Sequence, residues 1–166
     1  GYFIRPNSTI INTTASPPPP PPKLQAVKPV PGTAPNTAQD VKRFAPFVDV
    51  ISPMAYPGTF AKGAYFDPSL HPRSRMYYLV HRTLEGYKEV LGEEHAWKLR
   101  PWIQGYYTTA EEMVEQMDAV YAAGLCGFTV WSQGNYYSSL YSGIQKWDTP
   151  VPEKCVVQHV AELSND

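Results

Sequence analysis

Apolar and polar positions alternate between two periods along the back half of this chain. Three apolar runs, Phe47–Tyr56, Leu99–Tyr107 and Cys126–Gln133, each end in aromatic or amide residues and read as strands. Helical periodicity fills the gaps. Tyr77, Val80, Leu84, Tyr87 and Leu91 recur at steps of three and four and predict a helix over about 76–91, stopped by Gly92. Thr109-Ala-Glu-Glu112 is a capping box that opens a second helix. Met113, Met117, Val120 and Tyr121 supply its buried face, and Gly124 closes it. A short helix is expected over 37–46, capped by Thr37 with Asp40 three residues on and stopped by Pro46, and a last one over 155–163. Strands separated by helices predict an α/β chain with parallel pairing and a ligand site at the strands' carboxyl ends.

Alternation along each strand puts Ser52, Met54 and Tyr56 on one face, with Trp102, Gln104 and Tyr106, and Thr129, Trp131 and Gln133, as the matching sets. These are the sets expected to face away from the helices. The other register would turn Ile51, Ile103 and Val130 that way and bury Gln104 against a helix. Aromatics often only fill cores. Here amides stand beside them, and flat rings beside amides suit sugars, whose C–H faces stack while their hydroxyls hydrogen-bond. The candidate substrate-binding residues are therefore Tyr56, Trp102, Gln104, Tyr106, Trp131, Gln133 and Asn135. The loop over 57–75, with Phe60, Tyr65, Phe66 and Asp67, is a candidate substrate wall.

Composition divides the chain. Eighteen of its 166 residues are proline, and Pro17–Pro22 form an unbroken run. Residues 1–36 are thus expected to be a disordered, polyproline-rich linker, 37–147 the folded domain and 148–166 a tail. The run also fits a proline-recognition domain, and Asn7 and Asn12 sit in glycosylation-type triplets that arise easily by chance. A net charge of -1 gives no footprint for nucleic acid. No apolar run is long enough to span a membrane, and there is no signal peptide at Gly1, which reads as a processed or truncated start. Cys126 and Cys155 are expected as two unpaired thiols, a disulfide between them being the alternative. The four histidines show no metal-ligand spacing, so neither metal nor cofactor is expected.

Glycoside hydrolysis normally needs two carboxyl groups across the scissile bond. No Asp or Glu stands at the carboxyl end of the three strands. Glu111 and Glu112 are explained by the helix start, and Asp49 is at the wrong strand end. Asp148 lies well past the last strand. Asp67 is the one local catalytic candidate.

The strings Val48-Asp-Val-Ile-Ser-Pro-Met-Ala-Tyr-Pro57, Arg100-Pro-Trp-Ile-Gln104 and Gly127-Phe-Thr-Val-Trp131, with Asn135 and Tyr136, resemble the putative glycosyl hydrolase domain family of envelope and secreted bacterial proteins. The likeness covers roughly 38–145. It implies a partial (β/α)8 TIM barrel comprising about the last three βα units, an extracellular or cell-envelope location, a carbohydrate partner, and a missing N-terminal half that carries the catalytic acids. Two positions depart from the family pattern: Gly105 stands where an Asp is common, and Gly58-Thr59 where Ser-His is common. Met54-Ala-Tyr56 and Trp131-Ser132 fit chitinase-like barrels more loosely. The leading expectation is a glycoside hydrolase domain acting on a polysaccharide. The alternative is a non-catalytic carbohydrate-binding or surface-interaction protein. An isolated half barrel would be marginally stable and self-associating.

Overall fold

The computed structural model describes the backbone of residues 3–4, 33–34, 39–61 and 65–155, and the side chains of 40–61 and 65–155. Pro17–Pro22, Asn7, Asn12, Thr37 and the expected helix beyond Cys155 lie outside the described residues, as does most of the expected linker.

The chain order is β1 (Phe3–Ile4), β2 (Thr33–Ala34), β3 (Gln39–Asp40), α1 (Val41–Phe44), β4 (Ser52–Ala55), α2 (Arg75–Ala96), β5 (Trp102–Gln104), α3 (Ala110–Ala122), β6 (Thr129–Trp131) and α4 (Ser138–Lys146). The fold is mixed α/β. At its centre β4, β5 and β6 pair in parallel, with β1 parallel to β4 on the far side and β2–β3 a separate antiparallel pair. The register aligns Met54 with Trp102 and Thr129, then Ala55 with Ile103 and Val130, then Gln104 with Trp131.

The strands are shorter than the apolar runs that announce them. Pro57 opens a 3-10 turn directly after Tyr56, and Pro101 removes an N–H donor just before β5. Below the ladder a single bridge joins Ile51 to Leu99. Ile51, Ala55 and Ile103 face α2 and α3 and are buried with Leu84, Met113, Met117 and Val120, while Val130 packs against that core. Each fully buried aliphatic side chain contributes about 1.5–3 kcal/mol.

Local signals explain most helix ends. Both hydrogen bonds of the Thr109–Glu112 capping box form, and Gly124, at φ 77°, follows α3 in the left-handed region. Gly92, at φ 67°, interrupts α2 as expected, but the helix resumes and runs on to Ala96. The first short helix is corrected: Asp40 caps it by accepting from the Arg43 N–H at 3.2 Å, and it spans only Val41–Phe44 before a 3-10 turn containing Pro46.

Two further features depart from the sequence reading. α4 falls in a stretch for which the sequence reading predicts no element. Gly143 is where α4 meets α3: a Cβ there would stand 3.0 Å from Met113 Cβ and 3.1 Å from the Ala110 carbonyl oxygen. The expectation of unpaired thiols is also overturned. Cys126 and Cys155 form a disulfide, their Cα atoms 5.2 Å apart, and it closes a loop that carries β6 and α4. Their separation of 29 residues gave no hint of this proximity, which depends on the chain folding back after α4. That return is fixed on Asp118, which accepts from Trp147 Nε1 at 2.9 Å and Thr149 Oγ1 at 2.6 Å. Among the described residues no helix is long and apolar enough to cross a membrane.

Candidate functional site

The carboxyl ends of β4, β5 and β6 bring three rings together. Tyr56 stacks on Trp131 at 5.9 Å between centroids with planes 20° apart. Tyr106 meets both edge-on, at 5.9 Å from Tyr56 and 5.5 Å from Trp131. Tyr56 is buried beneath while Trp131 is 37% exposed, so the cluster presents an indole and a phenol at the rim. Burial, and then the neighbouring Tyr106, push the Tyr56 hydroxyl up to about 12, and burial raises Tyr106 as well. Both phenols stay protonated at neutral pH.

Gln104 has a different part from the one its sequence position suggested. It is 2% exposed. Its Oε1 accepts from the Gly58 N–H at 2.6 Å, and its Nε2 donates to the Tyr106 carbonyl at 2.9 Å. The amide therefore ties the loop after β4 to the loop after β5. Its backbone is held in turn by Gln116 of α3, whose amide accepts from the Gln104 N–H and donates to the Gln104 carbonyl, both at 3.0 Å. Gln116 is wholly buried and stands in for a strand neighbour where β4 has already ended. Nothing in the apolar stripe of α3 singles it out. Gln104 and Gln116 thus hold the backbone that carries Tyr106.

Trp102 lies lower on the sheet, in register with Met54 and Thr129 rather than with the rim rings. Asn135 is exposed, its backbone at φ 55°, in a turn where its N–H reaches the Ser132 carbonyl at 3.2 Å. Gln133 lines a cleft of about 440 Å³ between the loop after β5 and the loop after β6. Tyr106 forms part of the wall of that cleft, with Tyr107, Thr108, Ser132, Tyr136 and Ser139 among the other residues there. The sequence had marked Tyr106 and Gln133; the rest of the wall depends on how two loops meet, which strand alternation does not encode. The exposed Tyr136 ring lies over Gly134, where a Cβ would fall 2.6 Å from it.

Asp67 is engaged locally. One carboxylate oxygen accepts from the Ser69 N–H at 2.9 Å and from its hydroxyl at 2.7 Å. Those bonds hold the Asp67 carboxyl below its ordinary value, which suits a turn-forming anion rather than a proton donor. The neighbouring rings Phe66, His71 and Tyr78 pack on one another along α2. Phe60 and Tyr65 meet edge-on, and Arg75 binds the Pro57 and Phe60 carbonyls, fixing the start of this loop. Neither the cleft wall nor the ring cluster includes a carboxylate among the described residues. Gly105 shows why one is excluded at that position: a Cβ there would stand 2.7 Å from Val130 Cγ1 and 3.0 Å from the Trp131 carbonyl oxygen. No three His, Cys, Asp or Glu side chains converge on a metal site among the described residues.

Open parallel α/β sheets commonly bind ligands beyond the carboxyl ends of their strands, the end at which these tyrosine, tryptophan, hydroxyl and amide groups lie. Residues 27–137 match the family described as a putative glycosyl hydrolase domain, and the chain belongs to that family. No curated protein and no solved structure matches the chain.

Proposed function

We propose that this chain is a carbohydrate-handling domain of the glycoside hydrolase type, and that its described residues supply the sugar-binding rim. The observation that carries this reading is the Tyr56–Tyr106–Trp131 cluster. Its partly exposed indole and protonated phenol suit stacking on a pyranose face, and Gln133 and Asn135 stand close in sequence to hydrogen-bond hydroxyls. Family membership supports the same partner. The strand–helix alternation fits a segment of a (β/α)8 barrel, whose ligand end is the end described here. A polysaccharide outside the cytoplasm is the substrate that fits best, and the Cys126–Cys155 disulfide supports an oxidising compartment.

Hydrolysis by this chain would need a carboxyl pair brought from beyond the described residues. The tight packing around Gly105 favours a second reading, in which the rim binds sugar without cleaving it. One experiment addresses both. The chain is titrated with soluble polysaccharides by calorimetry and the same mixtures are assayed for new reducing ends. Saturable binding that Trp131→Ala weakens at least about tenfold is expected, with fold and melting temperature kept. Reducing ends appearing with time select the hydrolase, and binding without them selects the binding module. Absence of binding to any polysaccharide contradicts both.

A further inference from the structure

The cleft beside the ring cluster has a chemistry of its own. Its wall is made of tyrosine, serine, threonine, glutamine and glycine, without a charged side chain. Tyr106 belongs both to this wall and to the ring cluster, so the two surfaces are continuous. Tyr107 and Tyr136 are 88% and 80% exposed, and they carry aromatic surface on the two opposing loops. Between them stand hydroxyls: Ser138 and Ser139 open α4, whose first turn has no side-chain cap from Tyr137. The Thr108 hydroxyl is buried without a hydrogen-bond partner. Its volume of about 440 Å³ lies in the ordinary range of small-molecule sites.

Among the described residues, one carboxylate is hydrogen-bonded directly to this wall. The Glu112 carboxylate accepts from the N–H of Thr109, itself a wall residue, at 2.9 Å. Glu111, one residue before it, bonds Lys146, chiefly through which its carboxyl is held down at about 2. The Glu112 carboxylate thus stands at the edge of the cleft. An anionic sugar placed here would face that carboxylate with no cationic side chain in the described wall to pair with.

We infer that the cleft between the Gly105–Thr109 and Ser132–Ser139 loops is a subsite for an uncharged sugar residue, adjoining the ring cluster through Tyr106, and that it selects neutral glycans over those bearing uronic acids. This rests on the sugar-binding reading above and specifies its substrate class. The two loops grip the sugar between Tyr107 and Tyr136, and the exposed Ser138 hydroxyl and Gln133 amide bond its hydroxyls.

The test uses the whole chain, with xylo-, cello- and laminari-oligosaccharides as neutral probes and oligogalacturonate as the anionic one. Calorimetric titrations are run on the native chain, on Tyr136→Ala, on Ser138→Trp, which fills the cleft, and on Trp131→Ala. Circular dichroism checks each fold. At least one neutral probe is expected to bind, and to do so about tenfold or more tighter than oligogalacturonate. Tyr136→Ala and Ser138→Trp are each expected to weaken it to a similar degree. Preference for oligogalacturonate overturns the inference. So does neutral binding that Trp131→Ala weakens while both cleft variants leave it intact, although that result keeps the sugar-binding rim. If no probe binds the native chain, rim and subsite both fall.

Discussion

The two faces of the β4–β6 sheet come from alternate residues of the same short strands and meet opposite fates. On one, Ile51, Ala55 and Ile103 are sealed under α2 and α3. On the other, Thr129 and Trp131 remain exposed, and the strand ends collect Tyr106 and Tyr56 instead of further aliphatics. The difference separates stability from recognition: changes on the helix-covered face should unfold the chain, and changes at the rim should leave it folded and unable to bind.

The largest contrast compares Ile103→Ala with Trp131→Ala. Removing the buried Ile103 side chain should cost about 2–5 kcal/mol, read as a shift in the denaturant midpoint. Trp131→Ala should move that midpoint by less than about 1 kcal/mol, its ring being partly in water. Equal losses for the two would erase the distinction between the faces.

Breaking the disulfide should come next. Cys155→Ser, or reduction, releases the constraint on a loop with a sequence separation of 29. A loss of about 3–4 kcal/mol follows from the chain-entropy model. Because this loop includes the Ser132–Ser139 wall of the cleft, hydrogen exchange there should rise more than in α2. Uniform acceleration across both would count against a local tether.

Gly105→Asp sharpens the comparison where the two faces meet. Family likeness alone suggests that an acid here restores chemistry. The packing says otherwise, since the new Cβ meets Val130 and the β6 backbone. Destabilisation of about 1–3 kcal/mol is expected, without gain of hydrolysis. A folded, active Gly105→Asp variant would overturn this account of β5–β6 packing.

The smallest effect is in pH. Burial disfavours the Asp118 carboxylate, but hydrogen bonds from Thr149, Arg73 and Trp147 outweigh it and set the carboxyl below its ordinary value. The folded state therefore binds this proton more weakly than the unfolded state. Stability from Asp118 is present above the ordinary carboxylate range near about 4 and is lost as pH falls through the lowered value. Asp118→Asn should flatten that acid limb in a melting series; an unchanged limb would remove Asp118 as its source.

Legibility in the sequence followed the range of each interaction. The α3 start is written in four consecutive residues and formed as read. The Gly92 stop was equally local, although the resumption of α2 to Ala96 was not. α4 was not announced by the sequence reading; it packs on α3 through the close approach of Gly143 to Met113 and the Ala110 carbonyl, which its own residues do not encode. Strand alternation brought Tyr56, Tyr106 and Trp131 to one end. It could not show that Gln104, read as a ligand for hydroxyls, ties together the loops after β4 and β5, since that depends on Gly58 across 46 residues. Asp67 looked like a spare carboxylate until its Ser69 turn was visible. The disulfide and the cleft wall both need segments distant in sequence to meet, which neither periodicity nor capping motifs encode.

The most direct measurement is a 1H–15N NMR titration of the isotopically labelled chain with the neutral oligosaccharide that binds best. The expected perturbations concentrate at Gly105–Thr109 and Ser132–Ser139 and on the Trp131 indole N–H, while the amides of α2 stay still. Perturbations centred instead on Phe66, Asp67 and Tyr78, or none at saturating sugar, would contradict the assignment of the β4–β6 rim as the sugar site.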